Sequence, residues 1–327
     1  MTSDPPLAAA PAAPGAGRRG LRWAFVGSNG LRAGWRFLLY NVLTILIALP
    51  FALWMKQRFH VGDDTPFTID LLILIELVYL GAALIAMAVM ARIERRRFAD
   101  YGVPLGRMFG ARFWEGTVWG VASIAAVALA VAALGGLTVT GLRGGPEVAH
   151  GALLWTIGCL LIGLQEEISN RGYQLATLRD GMGFWPGATT LALFFGWVLH
   201  YLEKPNETLM DGLNVSLVAL FFCWTVRRTG DVWFAAGWHV TFNFTSFFII
   251  GSPNTAFGGA VEPHWMQSSF AGPQWLTGGA TGLEASVFAT LVFALLFPAV
   301  AWRFGRGAAV GPAGGAEISA PAARARR

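Results

Sequence analysis

Eight long apolar runs are the feature that most restricts what this sequence can fold into. Most of them reach the roughly 17–25 residues that a helix needs to cross a bilayer. Only 13% of the 327 residues are charged, whereas a soluble domain usually carries about a quarter. The sequence therefore predicts an all-α polytopic membrane protein with about eight transmembrane helices. The runs are Phe37–Met55, Leu71–Ala91, Gly116–Leu142, Ala149–Gln165, Gly181–Leu202, Gly212–Val226, Val232–Val261 and Ala285–Trp302.

Basic residues are distributed unevenly between the two ends of these runs. With eight spans and the N-terminus inside, 20 of the 24 Lys and Arg residues fall on one side. This asymmetry follows the positive-inside rule, so we expect a multi-pass protein of the inner (plasma) membrane with both termini in the cytoplasm. The formal net charge of +5 is then explained by topology. We expect the lipid bilayer as a partner, with some anionic-lipid contact, and no nucleic acid.

The two ends of the chain differ in composition from its centre. Residues 1–33 are predicted to be a disordered cytoplasmic tail and residues 307–327 a second one. Residues 34–306 form the predicted transmembrane helical domain. The first span is expected to act as an uncleaved signal anchor, because no cleavage site precedes it. Cys159 and Cys223 show neither disulfide nor metal spacing.

Three polar stations interrupt the apolar runs. They are Glu166–Arg171 (EEISNR), His200 and His239–Asn243 (HVTFN). Ionisable side chains inside a span cost several kcal/mol, so these residues are functional candidates. At about 1.5 Å per residue the three stations fall at comparable depth in their helices, which permits a shared polar intramembrane site.

Helical spacing separates the expected roles of the two glutamates. Glu167 and Arg171 are four residues apart with the acid first, the favourable order for a helical ion pair. Glu166 lies about 100° around the helix and is not committed to that arginine. We therefore assign Glu167 and Arg171 to structure and Glu166 to chemistry. His239 and Asn243 are also four residues apart and share one face. The other interpretation is a purely structural polar cluster that braces a helix hairpin.

Further polar features lie at the ends of the spans. The connection Gly251–Gly282 contains Trp265 and Trp275 but no Lys or Arg, so it can rest on the outer membrane interface. The sequence leaves open whether it is a lid, a partner site or a connector. Four acidic side chains are expected to reach the interface and to take no part in the site: Glu76, Glu115, Asp211 and Glu284.

The three stations resemble the motifs of the CPBP family of intramembrane proteases. That family contains the type II CAAX prenyl endopeptidases and bacteriocin-processing or self-immunity (Abi) proteins, and its motifs are EExxxR, FxxxH and HxxxN. Glu166–Arg171 matches the first motif and His239–Asn243 the third. In the second motif His200 is present, but Phe195 lies one residue further from it than the family pattern has. The resemblance covers about Ala149–Phe248.

The resemblance implies an intramembrane endopeptidase that acts on membrane-associated peptides or proteins. In the family's mechanism Glu166 with His200 would activate a water, while His239 and Asn243 would stabilise the oxyanion. Donors aimed at a developing oxyanion suit acyl transfer. No cofactor is expected, since the sequence has no HExxH. Zinc bound by glutamate and histidine is the alternative, because some family members have been labelled metalloproteases.

Proteins of another class could carry the same residues. A non-proteolytic membrane scaffold, such as a chaperone-like Abi protein, would tolerate Glu166→Gln. A proton-coupled carrier could use Glu166 and the histidines as a proton relay, although we find neither the inverted repeats nor the paired broken helices common in carriers. The sequence does not identify the substrate, and prenylated CAAX substrates are a eukaryotic expectation.

Overall fold

The computed structural model describes residues 22–27, 30–59, 68–202, 208–255 and 263–305. Eight long helices dominate this part of the chain, and we call each one a rod, because some combine α-helical and π-helical segments. Six of the helices in this part of the chain are long and apolar enough to cross a membrane. The fold is therefore the predicted all-α polytopic membrane type. The predicted disordered tails lie mostly outside the described residues, at 1–21 and 306–327.

Three of the rods change from α-helix to π-helix along their length, in segments named π1 (Glu167–Gln174), π2 (Phe194–Tyr201) and π3 (Thr245–Ile250). Short 3-10 segments occupy Phe98–Tyr101, Leu105–Arg107, Gly279–Thr281 and Leu283–Ala285. The α-helices are α1 (Arg22–Phe25), α2 (Ala33–Phe59), α3 (Ile69–Glu94), α4 (Ala111–Ala133), α5 (Pro146–Glu166), α6 (Leu175–Met182), α7 (Phe184–Leu193), α8 (Leu209–Thr229), α9 (Trp233–Phe244), α10 (Gln274–Thr277) and α11 (Val287–Phe304).

Two small antiparallel sheets accompany the helices. The strands are β1 (Val26–Gly27), paired with β2 (Gly30–Leu31), and β3 (Leu137–Leu142), paired with β4 (Met266–Phe270). The second sheet ties the connection after α4 to the connection after π3, so it closes one end of the bundle. The first uses residues that the sequence assigns to the N-terminal tail.

Two predicted spans extend beyond the observed helices. The predicted span Gly116–Leu142 is wrong at its C-terminal end, because α4 stops at Ala133. A turn with Gly135 at φ 77° follows, and the β-branched residues of β3 then adopt extended backbone. The span Val232–Val261 ends early as well: π3 stops at Ile250, and Gly251 has φ 72°, a conformation that favours glycine. Residues 256–262 lie outside the described part.

The outer surface of the bundle is rich in large apolar side chains. Ile45 is 60% exposed, Leu129 71% and Leu295 66%. Exposed apolar surface on this scale marks contact with a partner or a membrane, and the lengths of the helices identify the bilayer as that partner.

Helix α9 lies at the centre of the bundle and packs against α4, α5 and α8. Its contact with α4 depends on glycines that leave no room for a side chain. A Cβ built on Gly237 would lie 2.0 Å from the Phe113 carbonyl oxygen, and one on Gly116 would lie 2.0 Å from the Phe234 carbonyl oxygen. Small residues allow such close approach of helices in membranes. The position of α9, which carries His239 and Asn243, is fixed by this contact.

We predict that Gly237→Ala lowers the free energy of unfolding by about 2 kcal/mol, because the new methyl group must push α4 and α9 apart. Gly81→Ala in α3 is the matched control, since a Cβ there meets nothing within 4 Å. The measurement is thermal unfolding of both variants in detergent. Equal melting temperatures for the two would contradict the close α4–α9 contact.

Candidate active site

A cavity of about 290 Å³ lies inside the bundle. It brings together the four residues that the sequence assigns to chemistry: Glu166 from the end of α5, His200 from π2, and His239 and Asn243 from α9. Arg171 also lines it. The three polar stations therefore meet in one place. Their chemical roles stay predictions.

The EEISNR segment spans the junction between α5 and π1. Glu166 is the last residue of α5, and every residue of π1 is buried. Arg171 Nη1 donates to Glu167 Oε1 at 3.2 Å, with the two side chains 2% and 0% exposed. The guanidinium lies over the rings of Phe195 (4.8 Å) and Phe222 (5.1 Å). The predicted Glu167–Arg171 ion pair is thus present, and it is fully buried.

His239 is held by the same carboxylate. Its Nδ1 lies 3.0 Å from Glu167 Oε1, and its ring stacks on Phe222 with centroids 5.4 Å apart. An ionised carboxylate only accepts, so Nδ1 carries the proton of this bond. The contact fixes the orientation and tautomer of the ring and leaves Nε2 for the cavity. Glu167 is therefore a positioning residue for His239 as well as the partner of Arg171.

The π-helix at π2 accounts for the displaced aromatic of the second motif. In a π-helix residue i bonds residue i+5, so residues five apart lie above one another. Phe195 and His200 are five apart, and their rings are in contact with centroids at 4.8 Å. The extra residue between them is absorbed by the wider helix. The aromatic contact of the motif is kept although the sequence spacing differs.

Three asparagines line the cavity, and the side chains of Asn214 and Asn243 differ in their partners. The side chain of Asn214 donates to the carbonyl oxygens of Glu284 (2.9 Å) and Ser286 (3.1 Å), which ties α8 to the start of α11. Asn243 is 7% exposed, and within the described residues no group hydrogen-bonds its amide. Its amide atoms are not among the fully buried ones that lack a partner, so they face the cavity. Asn243 is therefore available to a ligand in the cavity.

Sequence reasoning missed part of the lining. Glu76 and Glu284 line the cavity, although the sequence predicts no part in the site for either. Glu76 lies about two turns into α3, and its Oε2 is buried without a hydrogen-bond partner among the described residues. The available signal was that Glu76 is the single charged residue in the run Leu71–Ala91.

The other two acidic residues at span ends have different outcomes. Asp211 is also misassigned, because it is 1% exposed and its carboxylate accepts from the hydroxyls of Thr208 (2.9 Å) and Thr281 (3.1 Å). Glu115 pairs with Arg112 at 2.9 Å and Arg303 at 2.7 Å near the helix ends, in keeping with an interfacial position.

The connection Gly251–Gly282 contributes to the site from one end. Asn254 lines the cavity, while Trp265 N donates to the Phe248 carbonyl oxygen at 2.8 Å. A Cβ on Gly251 would lie 2.4 Å from the His264 ring, so the chain folds tightly back onto π3. The described part of this connection is therefore packed against the bundle.

Glu166, Glu167 and His239 form the one group of possible metal ligands among the described residues, with ligand atoms within 4.8 Å of one another. Catalytic zinc sites use mainly nitrogen donors, as in three histidines or two histidines and a glutamate. Here two of the three donors are carboxylates. Glu167 Oε2 has no hydrogen-bond partner, but Oε1 already accepts from Arg171, and this fixed cation opposes a second one. This group by itself is therefore not the nitrogen-rich set that is usual for catalytic zinc.

We predict that Arg171→Gln destabilises the protein by about 3–5 kcal/mol, because it leaves the Glu167 carboxylate buried without its cation. Arg97→Gln is the control: Arg97 is 86% exposed and lies 3.6 Å from Asp100, so its loss costs at most about 1 kcal/mol. Thermal unfolding of both variants in detergent measures the difference. A melting temperature of Arg171→Gln close to that of Arg97→Gln would contradict the structural role of the buried pair.

Comparison with known proteins agrees with the motifs. Residues 148–245 match the family model described as "Type II CAAX prenyl endopeptidase Rce1-like". The matched segment is less than a third of the chain, and it contains Glu166, His200, His239 and Asn243. No curated protein and no solved structure matches the chain. The resemblance to the CPBP family is therefore confirmed: residues 148–245 are similar to the type II CAAX prenyl endopeptidases of the Rce1-like group.

Proposed function

We propose that this protein is an intramembrane endopeptidase that hydrolyses peptide bonds of membrane-associated peptides or proteins. The observation that carries the proposal is the cavity that gathers Glu166, His200, His239 and Asn243 from three different rods. The family match over residues 148–245 supports the same reaction class. Under this proposal the end of the bundle rich in arginine faces the cytoplasm of a plasma membrane.

Glu166 acts as the general base, assisted by His200. The carboxylate takes a proton from a water molecule, and the water oxygen attacks the carbonyl carbon of the scissile peptide. The carbonyl oxygen becomes an oxyanion. When the tetrahedral intermediate collapses, the C–N bond breaks and the leaving nitrogen takes the proton from Glu166. The products are a carboxylate and an amine, and a positioned base of this kind typically contributes about 10²–10⁴ in rate.

His239 and Asn243 stabilise the oxyanion. The Asn243 amide has no competing partner among the described residues, so its N–H groups are available to donate. His239 donates a hydrogen bond from Nδ1 to Glu167. It can therefore also donate from Nε2 when the ring is an imidazolium with both nitrogens protonated. The carboxylate of Glu167 stabilises that imidazolium. Such donors act more strongly in a cavity shielded from water than in solution.

Water activation in this proposal is independent of metal. Arg171 already balances the charge of Glu167, and Nδ1 of His239 is bonded to the same carboxylate. We predict that purified enzyme keeps its turnover after strong chelation. The measurement is cleavage of a membrane peptide in detergent, with metal content determined in parallel. Stoichiometric zinc whose removal abolishes turnover, and whose re-addition restores it, would replace this mechanism with metal-activated water.

The central test compares Glu166→Gln with Glu167→Gln. We expect Glu166→Gln to abolish peptide cleavage with an unchanged melting temperature, because its carboxylate serves as the base. Glu167→Gln is expected to lower both peptide cleavage and the melting temperature, because it releases Arg171 and His239. Proteomics of membrane peptides from cells that express wild type or Glu166→Gln extends the test to natural substrates. Unchanged peptide profiles, with no cleavage by the wild type in vitro, would favour a non-proteolytic scaffold.

Asn243→Ala is predicted to reduce turnover by about 10²–10³ per folded molecule, the usual effect of losing one oxyanion donor. Substrate binding is expected to change less, because the interaction is strongest in the transition state. Asn214→Ala is the matched control: it removes an asparagine from the same cavity whose bonds serve α8 and α11. It is expected to lower the melting temperature and keep turnover. Near-wild-type turnover of Asn243→Ala would remove Asn243 from this role.

A further inference from the structure

A second cavity, of about 120 Å³, lies beside the catalytic one. It is bounded by the 3-10 segment Phe98–Tyr101, the rod that contains π1 and α6, the start of α7 and the end of α8. The charged residues that line it are Arg171, Arg179, Arg227 and Asp100. Arg171 is balanced by Glu167, so Arg179 and Arg227 against Asp100 make this a basic cavity, which we call the arginine cavity.

Arg179 is only partly neutralised by its surroundings. Its nearest carboxylate is Asp180, at 3.6 Å. Asp180 also pairs with Arg36 at 3.3 Å and Arg96 at 2.6 Å. Glu94 pairs with the same two arginines at 2.6 and 3.8 Å, so two carboxylates serve three guanidinium groups. Arg179 Nη2 is buried and has no hydrogen-bond partner among the described residues. An anion in the cavity would supply both the missing charge and the missing acceptor.

Arg227 has no carboxylate partner in the part of the chain that the structure describes. Its guanidinium lies over the rings of Phe184 (4.6 Å) and Trp185 (5.5 Å), which hold it without using its N–H groups. Asp100 does not compensate it, because its carboxylate accepts from the Arg97 backbone N–H at 2.8 Å and lies 3.6 Å from the Arg97 side chain. The arginine cavity therefore presents unused donors from two elements.

The position of the arginine cavity matches the headgroup level of a bilayer. Trp185, which is 46% exposed, stacks on Trp224 with ring centroids 5.3 Å apart. Arg228 lies over Trp224 at 3.9 Å. Tryptophan and arginine together at helix ends are typical of the interface between hydrocarbon and water. A lipid headgroup can therefore reach this cavity.

We propose that the arginine cavity binds the phosphate of an anionic lipid headgroup from the leaflet at the basic end of the bundle. Guanidinium groups match phosphate oxygens with paired hydrogen bonds, and basic pockets between transmembrane helices are known receptors for lipid headgroups. The volume admits a phosphate group and leaves the acyl chains on the apolar surface outside. The proposal does not depend on protease activity.

The experiment uses the full chain reconstituted in phosphatidylcholine nanodiscs with increasing phosphatidylglycerol. Thermal stability and native mass spectrometry report the bound lipid. Phosphatidylglycerol is expected to raise the melting temperature of the wild type. Arg227→Gln and Arg179→Gln are each expected to weaken its apparent affinity about fivefold or more, since one arginine near an anionic surface contributes about that factor. Arg92→Gln removes an exposed charge from the same end without touching the cavity, and it is expected to bind like wild type.

The outcomes separate the phosphate of a lipid from free phosphate and from surface charge. Wild-type lipid affinity in both Arg227→Gln and Arg179→Gln would overturn the proposal, as would an equal loss in Arg92→Gln. Stabilisation by inorganic phosphate in pure phosphatidylcholine as large as that by phosphatidylglycerol would overturn the lipid source. Arg227→Lys keeps the charge but loses the fork of donors, so it is expected to bind more weakly than wild type and more tightly than Arg227→Gln. If Arg227→Gln does not fold, Arg227→Lys and Arg179→Gln together test the proposal.

Discussion

A buried charge cluster, Glu167 with Arg171 and His239, is the interaction on which the site depends. Isolated charges inside a bilayer are expensive, and pairing relieves the cost only where geometry and hydrogen bonds are good. Here one carboxylate oxygen lies 3.2 Å from the guanidinium and 3.0 Å from the imidazole. The cluster therefore joins the rod that contains Glu166 to α9. Glu167 and Arg171 thereby set the distance between the proposed base and the proposed oxyanion donors without themselves taking part in the proposed chemistry.

The π-helical segments are the second structural feature that shapes the cavity. π1 begins directly after Glu166, π2 contains His200, and π3 begins two residues after Asn243. A π-helix is less favourable than an α-helix, and single turns of it are often found at functional sites. Each segment widens a rod beside a residue that lines the cavity. The wider turn at π2 also lets Phe195 reach His200 across one extra residue.

Much of this architecture could be predicted from the sequence, because hydropathy and helical rise act locally. The runs predict the rods, and the spacing of Glu167 and Arg171 predicts their ion pair. The predictions that failed concern features that depend on packing between segments distant in the sequence. Glu76 lies in α3, far along the chain from the three motifs, and only the contact of α3 with α5 brings it to the cavity. The extended β3 was missed because its partner, β4, lies more than 120 residues further on.

The arginine of the first motif has a position that no other side chain could fill. Arg171 lines both the catalytic cavity and the arginine cavity. It donates to Glu167 while its planar face lies against Phe195 and Phe222. A lysine carries the same charge but has neither the flat surface nor the fixed fork of donors. Because Arg171 lies between the two cavities, it divides the polar interior of this membrane protein into two compartments, the proposed catalytic site and the proposed anion site.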